Sequence, residues 1–233
     1  EVTVLQVPER LYEYPKMLRE NMGLFYNLSF TAEDSKKIKM YKQQAKREND
    51  KKEFTDIEDY LASLELKMTI FHNDESIIPR MSQMSQKTNQ FNLTTKRYTE
   101  GDIKSFIDDP NSDVYAFSVA DKFGDSGVTG LCIITSNGEC KITEVDTLLM
   151  SCRIIGRNIE YSFVDYVIGE RKEKKINNLR AKYIKTQKNE QVTKFYDKCS
   201  FTLNKSDDSI REYTLNISNY IPKNLDYIEI VSE

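Results

Sequence analysis

Apolar and polar positions follow one spacing through the first third of the chain and another through the rest. Val2 and Val4 alternate with polar neighbours ahead of Val7-Pro8, and a helical spacing follows around Tyr14-Pro15-Lys16-Met17-Leu18. That predicts one strand and one short helix in residues 1–24, too little to fold alone. Thr31-Ala-Glu-Asp34 places a hydroxyl where it caps free backbone N–H groups and opens a helix to about Asn49, with Ile38, Tyr41 and Ala45 as its apolar stripe. Thr55-Asp-Ile-Glu58 opens a second, in which Ile57, Tyr60, Leu61 and Leu64 share one face. This pair reads as a helical connector over 25–89, and the polar run Lys46–Glu53 between the helices as a solvated helix end and turn.

From Asn92 the period shortens to two. Strands are predicted over Asn92–Tyr98, Val114–Val119, Val128–Ile134 and Cys140–Met150, with a short helix from Thr99-Glu-Gly-Asp102 through Phe106 between the first two. Lys122–Gly127 and Ser136-Asn-Gly138 are turn chemistry joining antiparallel neighbours. A helix with Ile159, Phe163, Tyr166 and Val167 on one face comes next. A strand at Leu179–Ile184, a helix from Asn189 to Cys199 and closing strands through Tyr213 and Ile228 complete the order β-α-β-β-β-α-β-α-β. This is an α+β layout with a central mixed sheet flanked by helices, over 90–233.

Composition narrows the function classes. With 233 residues, 39% hydrophobic and 30% charged, there is material for one sizeable domain and a smaller piece. A net charge of -3, from 34 basic and 37 acidic residues, gives no reason to expect a nucleic-acid partner. Apolar runs such as Thr147–Met150 are far shorter than the roughly 20 residues of a membrane helix, so no membrane span is expected. The start at Glu1-Val-Thr-Val-Leu5, without Met or leader, is expected of a piece cut from a longer protein. Cys132, Cys140, Cys152 and Cys199 lie at irregular distances, which points to a reducing cytoplasm and argues against structural zinc, so no metal is expected. His72 is the single histidine, which leaves no His-dependent triad, and it reads as a loop or strand-edge residue.

The candidate chemistry begins where the fourth of these strands feeds its helix, at Arg153-Ile-Ile-Gly156-Arg157-Asn158. A helix that starts in a tight turn leaves its first N–H groups pointing outward, where they and the helix dipole favour a phosphate. Gly156 would allow close backbone approach, and Arg153 and Arg157 would add charge. Equally, such a turn with two surface arginines can be an ordinary connection. Further on, Asn189 and Tyr196 are seven apart, two turns along one helical face, and both can look toward one cleft.

Together these segments resemble the GNAT superfamily of acyltransferases over residues 92–204, whose loop reads Gln/Arg-x-x-Gly-x-Gly/Ala and whose late helix reads Asn-x6-Tyr-x3-Gly-Phe. Asn158 and Ser200 depart from the family's small residues. A narrower resemblance rests on Ile78–Tyr98, especially Lys87-Thr-Asn-Gln-Phe-Asn-Leu-Thr-Thr95, and on Leu149–Arg157 with Ser151-Cys-Arg153. These runs look like the C-terminal region of FkbH-like proteins, which join a HAD-type phosphatase domain to a GNAT-like domain. Residues 1–24 then resemble the tail of that upstream domain. Its Asp-x-Asp-x-Thr/Val signature is absent from this chain, so this chain is not expected to be a phosphatase.

The resemblance implies an acyltransferase domain binding a phosphopantetheine thioester, carried by an acyl carrier protein or CoA. The parent protein would load a glyceryl-type unit onto the carrier. Met150, Arg153, Gly156, Arg157, Asn158 and Asn189 are the implied cofactor-binding residues, with a backbone N–H of the fourth strand polarising the thioester. Tyr196 is the implied acid for the leaving thiolate. Glu144 and Asp146, two apart on a strand, are the candidate base or simply its solvent face. Cys152, beside two arginines, is a candidate acyl-carrying nucleophile or a buried structural cysteine. Lys87–Gln90 either line the acyl site or bond backbone at a seam. A non-catalytic carrier-docking module and an N-acyltransferase acting on a sugar or amine remain the alternatives.

Overall fold

The structure, a computed structural model, describes residues 5–25, 32–137 and 142–232. The chain divides into two compact units, 1–45 and 46–233. The first holds α1 (Tyr14–Glu20) and most of α2 (Ala32–Lys51). Pro15 stands in the first turn of α1, where a missing N–H costs nothing. The alternation at Val2 and Val4 and the cap at Thr31 lie outside the described residues, and Val7-Pro8 forms no strand.

In the second unit, α3 (Ile57–Ser63) is capped by Asp56, whose carboxylate accepts the Glu58 N–H at 2.6 Å. The following stretch corrects the reading of a purely helical connector. Leu66, Met68 and Ile70 are buried while Lys67 and His72 are exposed, and this period of two makes a strand, β1 (Leu66–His72). Helix α4 (Ile78–Lys87) then buries Ile78, Met81 and Met84 at helical spacing. Helix α5 (Glu100–Asp108) opens with a reciprocal capping box between Thr99 and Asp102. There follow β2 (Ser112–Asp121), β3 (Gly124–Asn137), β4 (Ile142–Met150), α6 (Ile159–Glu173), β5 (Asn178–Ile184), α7 (Phe195–Lys198), β6 (Thr202–Ser206), β7 (Ile210–Asn216) and β8 (Ile228–Ser232). Cys140, and Gly138 of the predicted turn before β4, lie outside the described residues.

The eight strands form one sheet in the order β6-β7-β5-β4-β3-β2-β1-β8. Neighbours are antiparallel except for β4 with β5 and β1 with β8, so the sheet is mixed and flanked by helices. One core cluster includes Met68, Phe117, Phe163, Val167 and Tyr196, and a second packs α4 and α5 against Ile133 and Leu149. Gly130 on β3 lies under the Phe117 ring, where a Cβ would come within 1.7 Å of a ring carbon.

Two irregularities in β4 shape the region of interest. Ile133 pairs with Thr147 but Ile134 pairs with Val145, leaving Asp146 as an extra residue in a β-bulge. Pairing of β4 with β5 covers only Thr143–Val145 against Leu179–Ala181. Beyond that the strands part and leave a slot along the last residues of β4. The strand predicted over Asn92–Tyr98 is instead an extended segment with a single bridge, Asn92 to Leu149. The helix predicted from Asn189 to Cys199 is broken into a 3-10 turn, Glu190–Val192, and the short α7.

Candidate functional site

The turn after β4 is built as its residue types require. Cys152–Ile154 form one 3-10 turn, Gly156 takes φ 86, and Asn158 takes φ 60 and ψ 13 before α6 begins. Both angles lie in the left-handed region that glycine adopts freely and asparagine tolerates. A Cβ on Gly156 would meet nothing within 4 Å, so the backbone there faces open space. Asn158 Nδ2 donates to Tyr227 Oη at 3.0 Å, which fixes the turn against the segment before β8.

The two arginines have different fates. Arg153 is exposed, with its Nε donating to Ser151 Oγ at 3.1 Å. Arg157 is buried: its guanidinium reaches Asp121 Oδ2 at 3.1 Å and the Arg153 carbonyl at 3.2 Å. Asp121 has 0% side-chain exposure and also accepts a two-point hydrogen bond from Arg47, from Nε at 2.6 Å and from Nη2 at 2.8 Å. Burial and the neighbouring Arg47 charge lower the Arg157 pKa, with Asp121 opposing them. Arg157 therefore braces the turn against the β2–β3 hairpin and does not face a ligand.

Main chain from 91 to 93 lies in the slot between β4 and β5. The Met150 N–H donates to the Phe91 carbonyl at 2.9 Å, and the Leu93 N–H to the Leu148 carbonyl at 3.1 Å. On the other side, the Ile184 N–H donates to the Leu93 carbonyl at 2.8 Å. Phe91, Asn92, Leu93 and Thr94 are all buried, and Thr94 Oγ1 meets Thr147 Oγ1 at 3.1 Å. Asn189 clamps this insert. Its Nδ2 donates to the carbonyls of Asn92 and Ile184, at 3.0 and 2.9 Å, and its Oδ1 accepts from Thr186 N–H at 2.8 Å. Both Met150 N–H and Asn189, taken from sequence as ligand contacts, are thus engaged with the chain itself.

Tyr196 and Asn189 do not lie along one helical face, because a 3-10 turn and the separate α7 replace the single helix, and both side chains are buried. The Tyr196 ring is 1% exposed and borders a void of about 10 Å³ with Cys132, Leu148 and Phe163. The hydroxyl is buried without a hydrogen-bond partner among the described residues. Burial pushes the phenol well above its ordinary pKa, and nearby Cys132 and Cys199 add to that. A group so placed holds its proton firmly.

Glu144 and Asp146 have separate partners. Glu144 pairs with Lys182 of the neighbouring β5 at 3.1 Å. Asp146, the bulge residue, accepts from Lys96 and from the Tyr98 hydroxyl, and Tyr98 also reaches Thr147 Oγ1 at 3.4 Å. Burial and the Asp146 hydrogen bond raise the Tyr98 phenol pKa. Tyr98 also borders an open cavity of about 430 Å³ with Arg97, Asp102 and Phe106. Sequence reasoning passed over Tyr98. Its spacing to Asp146 carries no local signal, since only the bulge and the return of 94–98 bring the two together. Glu160, in the first turn of α6, was missed as well. One of its carboxylate oxygens is buried without a partner among the described residues, and burial raises its pKa. Cys152 is exposed in the 3-10 turn, and so is not a packed core cysteine. Lys87 and Gln90 are exposed and Asn89 partly so, at the entry to the insert.

Among the described residues there is no group of three His, Cys, Asp or Glu that could hold a metal, and no helix long and apolar enough to cross a membrane. No protein-family model matches the sequence, and no curated protein matches it. Solved structures do match. The ribosomal-protein-S18-alanine N-acetyltransferase of Escherichia coli aligns with a TM-score of 0.50 at 11% identity, covering 67% of this chain and 97% of that one. A Vibrio cholerae spermidine N-acetyltransferase (SpeG) mutant gives 0.50 at 11% identity, over 67% of this chain and 98% of its own. An acetyltransferase of the GNAT family from Streptococcus pneumoniae gives 0.51 at 10%, over 64% and 98%. At such identities the likeness is one of fold: this chain has the α+β fold of GNAT acetyltransferases.

Proposed function

We propose that this chain is an acyltransferase-type domain that receives a phosphopantetheine thioester, with the arm lying along the end of β4 and its phosphate at the Arg153–Asn158 turn. The observation that carries this reading is the slot itself: beyond Val145 the edge of β4 pairs with an extended main chain and not with β5. A pantetheine arm is likewise an extended chain carrying amides, and at its phosphate end the exposed Arg153 and the open backbone at Gly156 supply charge and room. The runs Lys87–Thr95 and Ser151–Arg153, which resemble FkbH-like proteins, favour an acyl carrier protein as the donor or acceptor of the acyl group. In that reading a HAD-like domain of the same polypeptide supplies a glyceryl-type unit.

Asp146 is the best placed base. It sits at the bulge, where the strand's pairing is interrupted, and its carboxylate oxygens accept from the Tyr98 hydroxyl and the Lys96 ammonium. Cys152 offers an exposed thiol at the same end of β4. Adding S-acetyl-phosphopantetheine, free or on a carrier protein, should slow exchange of the Gly156 and Asn158 amides. Unchanged exchange at saturating ligand would end the proposal.

A second reading, a docking module without chemistry of its own, is favoured by the enclosure of Tyr196, whose hydroxyl meets no partner among the described residues and whose ring is 1% exposed. The two part on mutation. Docking predicts that Asp146→Asn and Cys152→Ala leave acyl loading by the full-length protein unchanged while Arg153→Glu abolishes carrier binding. Transfer to an amine, the third alternative, would show as release of free CoA only when a sugar or other amine acceptor is present.

A further inference from the structure

The segment inserted between β4 and β5 has features of a replaceable strand. Its main chain makes the bonds a neighbouring strand would make: Met150 N–H to the Phe91 carbonyl, Leu93 N–H to the Leu148 carbonyl, and Ile184 N–H to the Leu93 carbonyl. Yet the pairing spans only Phe91–Leu93, and the chain leaves it at once. Thr95 turns into the left-handed region at φ 57, held by its N–H donating to Asn92 Oδ1 at 2.8 Å. The polar Lys87 and Gln90 before it are exposed. Both ends run directly into helices, α4 ending at Lys87 and α5 starting at Glu100. The segment is therefore a loop between two helices that dips one short strand into the sheet, and not a strand of the sheet proper.

Its side chains hold it there: Phe91, Asn92 and Leu93 are all buried. Phe91 packs edge-on against Phe195 with centroids 5.1 Å apart, and Phe195 stacks on Tyr161 of α6 at 5.8 Å. Asn189 is 0% exposed, and its amide nitrogen is shared between the insert, at the Asn92 carbonyl, and β5, at the Ile184 carbonyl. If the insert leaves, Met150 N–H, Leu148 C=O, Ile184 N–H and one Asn189 donor bond all lose their partners at once. Buried groups of this kind are not left unpaired, so departure requires a replacement that offers amide groups in extended form.

We infer that the β4–β5 slot is a strand-receiving site that this chain closes with its own residues 91–93, and that an extended amide-bearing ligand enters only by displacing them. The inference rests on the proposed thioester-binding function and adds the competition. A ligand that binds only the open form has its apparent affinity reduced by the fraction of molecules that are open. Loosening the insert should therefore tighten ligand binding, the reverse of what loss of a ligand contact does.

Two variants test this with S-acetyl-phosphopantetheine as the probe. Phe91→Ala removes the insert's anchor without touching β4, and should bind the probe about tenfold more tightly than the wild type. Asn92 and Leu149 are directly paired, a separation that suits a disulfide, so Asn92→Cys with Leu149→Cys can lock the insert in place. The oxidised form should lose probe binding and the same protein should regain it on reduction. Equal affinity in the oxidised and reduced forms, with the Met150 amide still protected from exchange, would place the ligand elsewhere and overturn the gate alone. No binding by any form, Phe91→Ala included, would overturn it together with the thioester reading.

Discussion

Asp121 faces two guanidinium groups and two backbone N–H groups with a carboxylate wholly shielded from water. Removing one partner of a buried pair leaves the others as uncompensated charge, so Asp121→Ala should cost about 3–5 kcal/mol. Urea unfolding would read it, and a loss below about 1 kcal/mol would remove Arg157 from this bracing role. Tyr196 is the opposite case, because its hydroxyl meets no partner among the described residues. Tyr196→Phe should leave stability unchanged or raise it by about 1 kcal/mol. A fall in acyl transfer without loss of stability would then identify the hydroxyl as a proton donor. Asp113 supplies the pH dependence. Burial opposes its ionisation, but hydrogen bonds from His72, Arg171 and Lys174 outweigh that and hold its pKa well below the ordinary carboxylate value. Its stabilising contribution is complete above the unfolded value of about 3.9 and is lost as pH falls from there toward the folded one. Asp113→Asn should flatten the acid limb of a stability-against-pH curve, whereas parallel curves would refute the assignment. At this scale sequence showed which residues bear charge but not whom they meet. Arg157 read as a phosphate ligand because Asp121 is distant in the chain, and Asn189 read as a ligand contact because Asn92 is more distant still.

Strands with clean alternation were legible as elements, and those with interruptions only in part. The segments Val114–Val119 and Val128–Ile134 fall inside β2 and β3, and the turn chemistry at Lys122–Gly127 overlaps their tight connection. The stretch Leu66–His72 alternates equally well, but following a helical pair it was absorbed into the connector. Asn92–Tyr98 failed for a different reason. Its residues favour extended backbone, and it is extended, but a bridge at one residue and a left-handed Thr95 end its pairing. The bulge at Asp146 is invisible in sequence because it is a property of two strands in register. Gly130 likewise looks like an ordinary weak point in a strand until the Phe117 ring is placed over it. Gly130→Ala must displace that fully buried ring, and should cost about 1–3 kcal/mol in thermal or urea unfolding. A neutral effect would mean the ring has room to move.

For the molecule as a whole, the α+β class, the mixed sheet and the order of its central elements followed from periodicity and turn chemistry, because those signals are local. Strand neighbours are not local, and the pairing of β8 with β1 has no trace in spacing or composition. That pairing carries a consequence for how the chain acquires its structure. Leu66–Ile70 lie beside Ile228–Ser232, so the outer edge of β1 stays bare until Ile228–Ser232 have been added. Pairings this distant in sequence form late and slowly, and an open apolar edge invites strands of other molecules meanwhile. Yield during synthesis should therefore depend on how soon Ile228–Ser232 follow β1. Deleting 228–232 should raise the light scattering of the product, even though every candidate site residue remains.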